Sequence, residues 1–241
     1  MRQMSRRNSE HFGAVAILLL ITLTLTSCAS SSQGVNDYSG KFSEEVSDKP
    51  YEWVLNYNED MQLPELPTGC EATAGATMMR MNGILVSKED VADAMPKSDE
   101  DFVNCFIGDP YSYSGWACSA PCLTNTLNGF LDVEEKFAAV ELTGTPLQEL
   151  PTPCCVWVTS NIEMPDAPVR EKDDYGLFRN SHCVVLRGIH DGKVSVIDPL
   201  GGDPDYDLNQ FESVYDAMGR QAVYVTDIDT AVQMISERGV G

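Results

Sequence analysis

Leu66-Pro67-Thr68-Gly69-Cys70-Glu71-Ala72-Thr73 opens a segment that runs through three methionines to Asn82-Gly83. It reads as the start of a helix over residues 70–81. Thr68 and Glu71 have the spacing of a capping box, in which each side chain satisfies a backbone donor near the other. Gly83, just past the last helical residue, supports the stop. This reading places the Cys70 thiol in the first helical turn. Unpaired N–H groups and the positive end of the helix dipole favour an anion there, so the expectation is a thiolate that forms below the usual thiol pKa. The alternative is an ordinary buried cysteine, one of the most buried residue types.

A base for that thiol is sought among three histidines, His11, His182 and His190. His11 falls in a segment read below as cleaved. His182 opens the apolar run Cys183-Val184-Val185-Leu186-Arg187-Gly188-Ile189, which reads as a strand, and Lys193–Asp198 reads as the next. Between them, His190-Asp191-Gly192 has the form of a three-residue hairpin loop that pairs Ile189 with Lys193. Counting outward, Val184 faces Asp198, and His182 becomes the diagonal neighbour of Asp198 on the same face. Such neighbours have Cβ atoms roughly 7–8 Å apart, within reach of a carboxylate and a ring nitrogen. A two-residue loop would put them on opposite faces. His190 reads as a solvated residue of the hairpin tip. Asp198-Pro199 has a second reading as an ordinary turn opener.

The remaining elements read as helices over Ser87–Met95, Ala120–Leu131 and Gln210–Met218, and as strands over Ala138–Leu142, Cys155–Thr159 and Gln221–Thr226. No internal repeat is present. Long irregular stretches at Asp99–Gly115 and Asn161–Asn180 are of the length that frames substrate clefts in compact domains, or serves as permissive surface. The expected class is α+β, a single domain of ordinary size.

Four separated motifs stand in a familiar order: Leu66–Thr73, Phe106-Ile107-Gly108-Asp109-Pro110-Tyr111, His182–Leu186 and Val196-Ile197-Asp198-Pro199-Leu200. Together with the closing Phe211-Glu212…Tyr215…Gly219…Gln221-Ala222-Val223, they resemble the bacterial papain-like cysteine peptidases related to the bacteriocin-leader-processing, or C-thirty-nine-like, enzymes. The resemblance covers residues 57–226. It implies a papain-like fold, with helices carrying the Cys packed on an antiparallel sheet carrying His and Asp. It also implies Cys70 as nucleophile, His182 as base and Asp198 as orienting acid, acting on a peptide or amide substrate through a thioester and without a cofactor. Papain-like enzymes often place an oxyanion-binding Gln shortly before the nucleophile. Here the sixth residue before Cys70 is Pro64, and the nearest upstream candidate is Gln62. A catalytically silent surface-binding lipoprotein on the same fold is the alternative function.

Arg2, Arg6 and Arg7 precede an apolar run from Phe12 to about Leu25, the layout of a secretory signal. Leu25-Thr26-Ser27-Cys28 then resembles a lipobox, in which Cys28 is acylated and becomes the first mature residue. The reading is therefore a lipoprotein signal peptide over 1–27, a flexible tether over 28–56, the peptidase-like domain over 57–226 and a C-terminal tail over 227–241. The protein is expected outside the cell, anchored to the outer face of the cytoplasmic membrane through Cys28.

The full chain carries 16 basic and 37 acidic residues. Removing 1–27 leaves a mature net charge of −23, three Arg and one Glu having gone with the signal. Such a chain repels nucleic acid, and no basic stripe is present to oppose this. Six cysteines remain beyond Cys28 and Cys70: Cys105, Cys118, Cys122, Cys154, Cys155 and Cys183. Their pairing is open, with Cys105 to Cys118 or Cys122 the favoured bridge, while Cys155 and Cys183 read as core residues. No metal site is read. Asp203, Asp205 and Asp207 alternate like a calcium loop, but Leu208 and Val214 occupy the positions where such a loop needs Gly and Glu.

Overall fold

The structure, a computed structural model, describes residues 55–131 and 137–238. The signal segment, Cys28 and the tether up to residue 54 lie outside the described residues. In chain order the helices are α1 (Tyr57–Asp60), α2 (Cys70–Met81), α3 (Lys88–Ala94), α4 (Ala120–Asn128), α5 (Leu208–Ala217) and α6 (Ile228–Arg238). The strands are β1 (Lys97–Ser98), β2 (Phe106–Ile107), β3 (Phe137–Glu141), β4 (Cys154–Thr159), β5 (Arg170–Lys172), β6 (Tyr175–Leu177), β7 (Ser181–His190), β8 (Lys193–Ile197), β9 (Asp205–Asp207) and β10 (Ala222–Asp227).

The main sheet has six strands in the order β3-β10-β4-β7-β8-β9, with every neighbouring pair antiparallel. Successive side chains point to opposite faces, and here both faces are covered. Cys155, Trp157, Cys183, Val185, Val223 and Val225 pack toward Met78, Met79, Val91, Leu123 and Leu127 of α2, α3 and α4. Val156, Val158, Val184, Leu186, Val194 and Val196 pack toward Phe211, Val214 and Tyr215 of α5 and Ala231 of α6. Burial on both sides explains why β4 is an unbroken apolar run rather than an alternating one. The α+β class expected from the sequence is the class found.

Local chemistry sets the element ends. At α3 the Ser87 hydroxyl accepts the Asp90 N–H while the Asp90 carboxylate accepts the Ser87 N–H, a complete capping box. The start of α5 lies two residues earlier than the sequence suggests, because the Asp207 carboxylate accepts from the N–H groups of Asn209 and Gln210. α4 stops at Asn128, whose side-chain amide pairs with both backbone groups of Ala139 on β3. The segment read as a C-terminal tail contains α6, with Ala231 buried and Arg238 donating to the carbonyls of Glu141 and Thr143.

The β7–β8 hairpin corrects the sequence reading in one detail and keeps its consequence. Its turn is two residues long, Asp191-Gly192, with His190 paired to Lys193 and Ile189 to Val194. Both turn residues have positive φ, 49° and 74°, the type I′ geometry for which Asp-Gly is a favoured pair. Continued regularly, that register would carry Asp198 to the wrong face. The ladder instead shifts between Leu186 and Gly188, leaving Arg187 as the extra residue of a bulge, after which Leu186 faces Val196 and Val185 faces Ile197. The residue missing from the loop is regained in the bulge. By continuation Val184 and Asp198 come opposite each other, and His182 shares the face of Asp198.

Candidate functional site

Cys70 is the first residue of α2, directly after Gly69. Gly69 makes no side-chain cap, so the capping box expected from Thr68 and Glu71 is absent. Both side chains are engaged elsewhere. Thr68 Oγ1 lies 3.0 Å from the Ser112 carbonyl, and its N–H donates to the Pro110 carbonyl at 3.3 Å. The second motif, Phe106–Tyr111, thus leads into a loop seated on the residue two before the thiol. The fit is close: a Cβ on Gly115 would stand 2.2 Å from the Asp109 carbonyl oxygen and 2.3 Å from Thr68 Oγ1. Only glycine allows the loop to close there.

Glu71 turns inward rather than capping the helix. Its Oε2 accepts the Cys70 thiol at 3.2 Å, and its Oε1 accepts the Cys118 N–H at 3.1 Å. The Cys118 carbonyl accepts the Trp157 indole N–H at 2.9 Å, which ties this backbone to β4. The Cys70 sulfur also receives the backbone N–H of Cys183 on β7. The start of α2 is therefore held against the residue next to His182.

On the sheet, His182 Nε2 lies 2.7 Å from Asp198 Oδ1, with both side chains buried. Asp198 also accepts the Leu200 N–H at 2.8 Å, and the Tyr206 hydroxyl approaches its other oxygen at 3.4 Å. Asp198 thus contacts both its own turn and the His182 ring. Burial works against the Asp198 carboxylate, but the His182 ring, the Leu200 N–H and Tyr206 outweigh it and hold its pKa below the ordinary value.

Gln62 reaches this neighbourhood. Its N–H donates to the Pro199 carbonyl at 3.0 Å, its carbonyl accepts the Leu66 N–H at 2.7 Å, and its Nε2 donates to the Pro67 carbonyl at 3.1 Å. The 62–67 segment loops out between Gln62 and the helix start and brings the amide beside the Asp198-Pro199 turn. The side chain is buried, with no partner for Oε1 among the described residues. A residue that sequence reading passed over holds this loop. Lys88 of α3, itself buried, donates through Nζ to the carbonyls of Asn58 and Met61 at 2.9 and 2.7 Å and to the Glu65 carboxylate at 2.9 Å. All three donors of the ammonium are used to clamp the segment on either side of Gln62.

Cys70, Glu71, His182, Asp198 and Gln62 expose 4, 0, 2, 4 and 3% of their surfaces. In so dry a setting the expected lowering of the thiol pKa does not occur. Burial pushes the Cys70 thiol well above its ordinary value, the neighbouring Glu71 adds to the shift, and the Cys183 N–H opposes it. Burial also raises the Glu71 carboxyl to about 7, against its own N–H, the Cys118 N–H, the Cys70 thiol and the His182 ring. The thiol donates to Glu71 and not to His182.

The other sequence candidates take structural places. The bridge favoured from Cys105 to Cys118 or Cys122 is not formed; all seven described cysteines are free. Cys155 and Cys183 are fully buried, as core residues should be. Gln221, part of the closing motif, accepts the Ala120 N–H at 3.0 Å and so satisfies a donor at the start of α4.

Comparison with known proteins identifies the family and agrees with the fold. The model of the Peptidase_C39 like family matches residues 31–223. The uncharacterized protein YvpB of Bacillus subtilis is 28% identical over 193 residues, which cover 74% of this chain and 76% of YvpB. Among solved structures, a Bacillus anthracis protein named as a C39-like peptidase is 28% identical with a TM-score of 0.59, covering 71% of this chain and 95% of that one.

Proposed function

Because this chain belongs to the Peptidase_C39 like family, we propose that it is an exported, lipid-anchored cysteine peptidase or amide hydrolase that works through Cys70, His182 and Asp198. The observation that carries the reading is the buried 2.7 Å contact of His182 Nε2 with Asp198. It sits beside a helix start that presents a thiol and has no side-chain cap for its first N–H groups. In the reaction, the Cys70 thiol gives its proton to His182 Nδ1 and the thiolate attacks the substrate carbonyl. Asp198 holds the ring and stabilises its charged form. The tetrahedral oxyanion is met by the Cys70 N–H and the Gln62 amide. His182 protonates the departing amine, leaving a thioester. Water, deprotonated by His182, then releases the acid and restores the thiol.

Digestion of an unbiased peptide library tests this reading. Full chain and Cys70→Ala are compared: cleavage products that depend on Cys70 are expected. Products absent from both digests would favour the alternative, a silent surface-binding lipoprotein on the same fold. Gln62→Ala should slow turnover by about 10²–10³, the usual cost of one oxyanion donor. For the anchor, Cys28→Ser should move the protein from the membrane fraction to the soluble one. An unchanged distribution would end the lipoprotein reading.

A further inference from the structure

The mechanism above leaves one ionisable group of the site unused. Glu71 is wholly buried, and beyond its own backbone N–H its carboxylate is met by the Cys70 thiol and the Cys118 N–H. Around it stand Cys70 on its own helix, Cys118 ahead of α4 with Cys122 behind it, and His182 and Cys183 on β7. Of these only a protonated His182 would be a cation. An acid enclosed in this way, in contact with the sulfur that is to react, acts on that sulfur directly.

We propose that Glu71 is a further acid–base group of the site, which accepts the Cys70 S–H in the resting chain and keeps the nucleophile a neutral thiol until that contact is broken. The inference rests on the assignment of Cys70 as nucleophile. Two anions side by side in a dry pocket are strongly disfavoured, so an ionised Glu71 and a thiolate at Cys70 do not coexist at rest. The two groups titrate as a pair. Activation moves a single proton: the S–H leaves Glu71 and passes to His182, and no electron pair changes hands until the thiolate meets a carbonyl. The charge that develops on His182 is then balanced by Asp198 on one side and faces Glu71 on the other. A substrate that enters the cleft and turns the thiol toward the ring would separate sulfur from carboxylate, which links substrate binding to nucleophile formation. The protein at rest is thereby protected from alkylation and oxidation, both of which act on thiolates.

The pH dependence of Cys70 alkylation by iodoacetamide, measured on the full chain in detergent, tests the proposal. Glu71→Gln retains an acceptor for the Cys118 N–H, removes the negative charge and offers the thiolate a donor. Its labelling midpoint should fall by one pH unit or more, so that labelling at pH 8, where Glu71 of the unsubstituted chain is ionised, accelerates at least about tenfold. Superimposable profiles for the two proteins would overturn the proposal. Should Glu71→Gln not fold, the unsubstituted chain answers by difference infrared spectroscopy. Capping the sulfur removes the S–H donor, so the Glu71 carboxyl band must shift, and a silent carboxyl region would equally overturn it. Neither readout requires peptide hydrolysis. A shifted profile with an inert library digest would remove the peptidase reading and leave Glu71 in its role; the reverse pattern would do the opposite.

Discussion

At the scale of residues, Asp198 performs two jobs with one carboxylate. Oδ1 receives the Leu200 N–H of its own turn and faces His182 Nε2, while Oδ2 is met by Tyr206. Asp198→Ala should therefore cost about 10²–10⁴ in kcat, the range for a group on which general acid–base catalysis depends. KM should change little, and His182→Ala should cost no less. Equal loss in both parameters would point instead to a collapsed turn. Glu71 carries a separate prediction about stability. Its carboxyl is raised by burial from 4.5 to about 7, so the folded chain binds a proton that the unfolded chain has released across that interval. Stability from this group is complete below pH 4.5 and lost as pH rises through about 7. Urea midpoints measured from pH 4 to 8 should thus decline more steeply for the unsubstituted chain than for Glu71→Gln. That Glu71 points inward was foreshadowed by its company: α2 is apolar or small nearly all round, and a helix of that kind is buried on every side, its charges included. Its spacing from Thr68 concealed this, because a capping box uses the same two residue types.

At the scale of elements, the site depends on how three segments are held. The Gln62 loop has little regular structure and is fixed by a lysine from a neighbouring helix. Lys88→Met should lower kcat by up to the loss seen for Gln62→Ala, about 10²–10³. It should leave the rate of Cys70 alkylation unchanged, since thiol and imidazole do not touch this clamp. The double variant should be no slower than the slower single one, the sign of residues acting through one contact. Gly115→Ala should displace the Asp109–Gly115 loop from Thr68 and raise KM, as measured on whichever library peptide is cleaved fastest. The hairpin shows how far local sequence reaches. The identities of β7 and β8 and the place of the turn between them were legible from apolar runs and turn chemistry, but the turn is the two residues Asp191-Gly192 rather than the expected three. The bulge at Arg187 was not legible, because a bulge is chosen by the facing strands and leaves no signature in one strand alone. The expectation of His182 beside Asp198 held because loop and bulge shift the register by opposite single steps.

On the scale of the whole molecule, the sheet is closed on both faces, and α6 supplies part of the second cover. Ending the chain at Asp227 removes Ala231 from the core and the Arg238 contacts to Glu141 and Thr143. Tm should fall by several degrees, at about 2–4 °C per kcal/mol for a domain of this size, while the His182–Asp198 pairing on the opposite part of the sheet persists. An unchanged Tm would show that α6 adds no net stability. The amino-acid order alone determined the helices α2 to α5, the strands β3, β4, β7, β8 and β10, and the thiol at a helix start, because hydrophobic periodicity, turn residues and chain order are local properties. Tertiary packing decided the protonation of that thiol, the inward turn of Glu71 and the seat of the Gln62 loop. These follow from desolvation and from contacts between residues far apart in the chain, Glu71 with Cys118 and Gln62 with Pro199 among them, and such contacts exist only once the chain has closed around them.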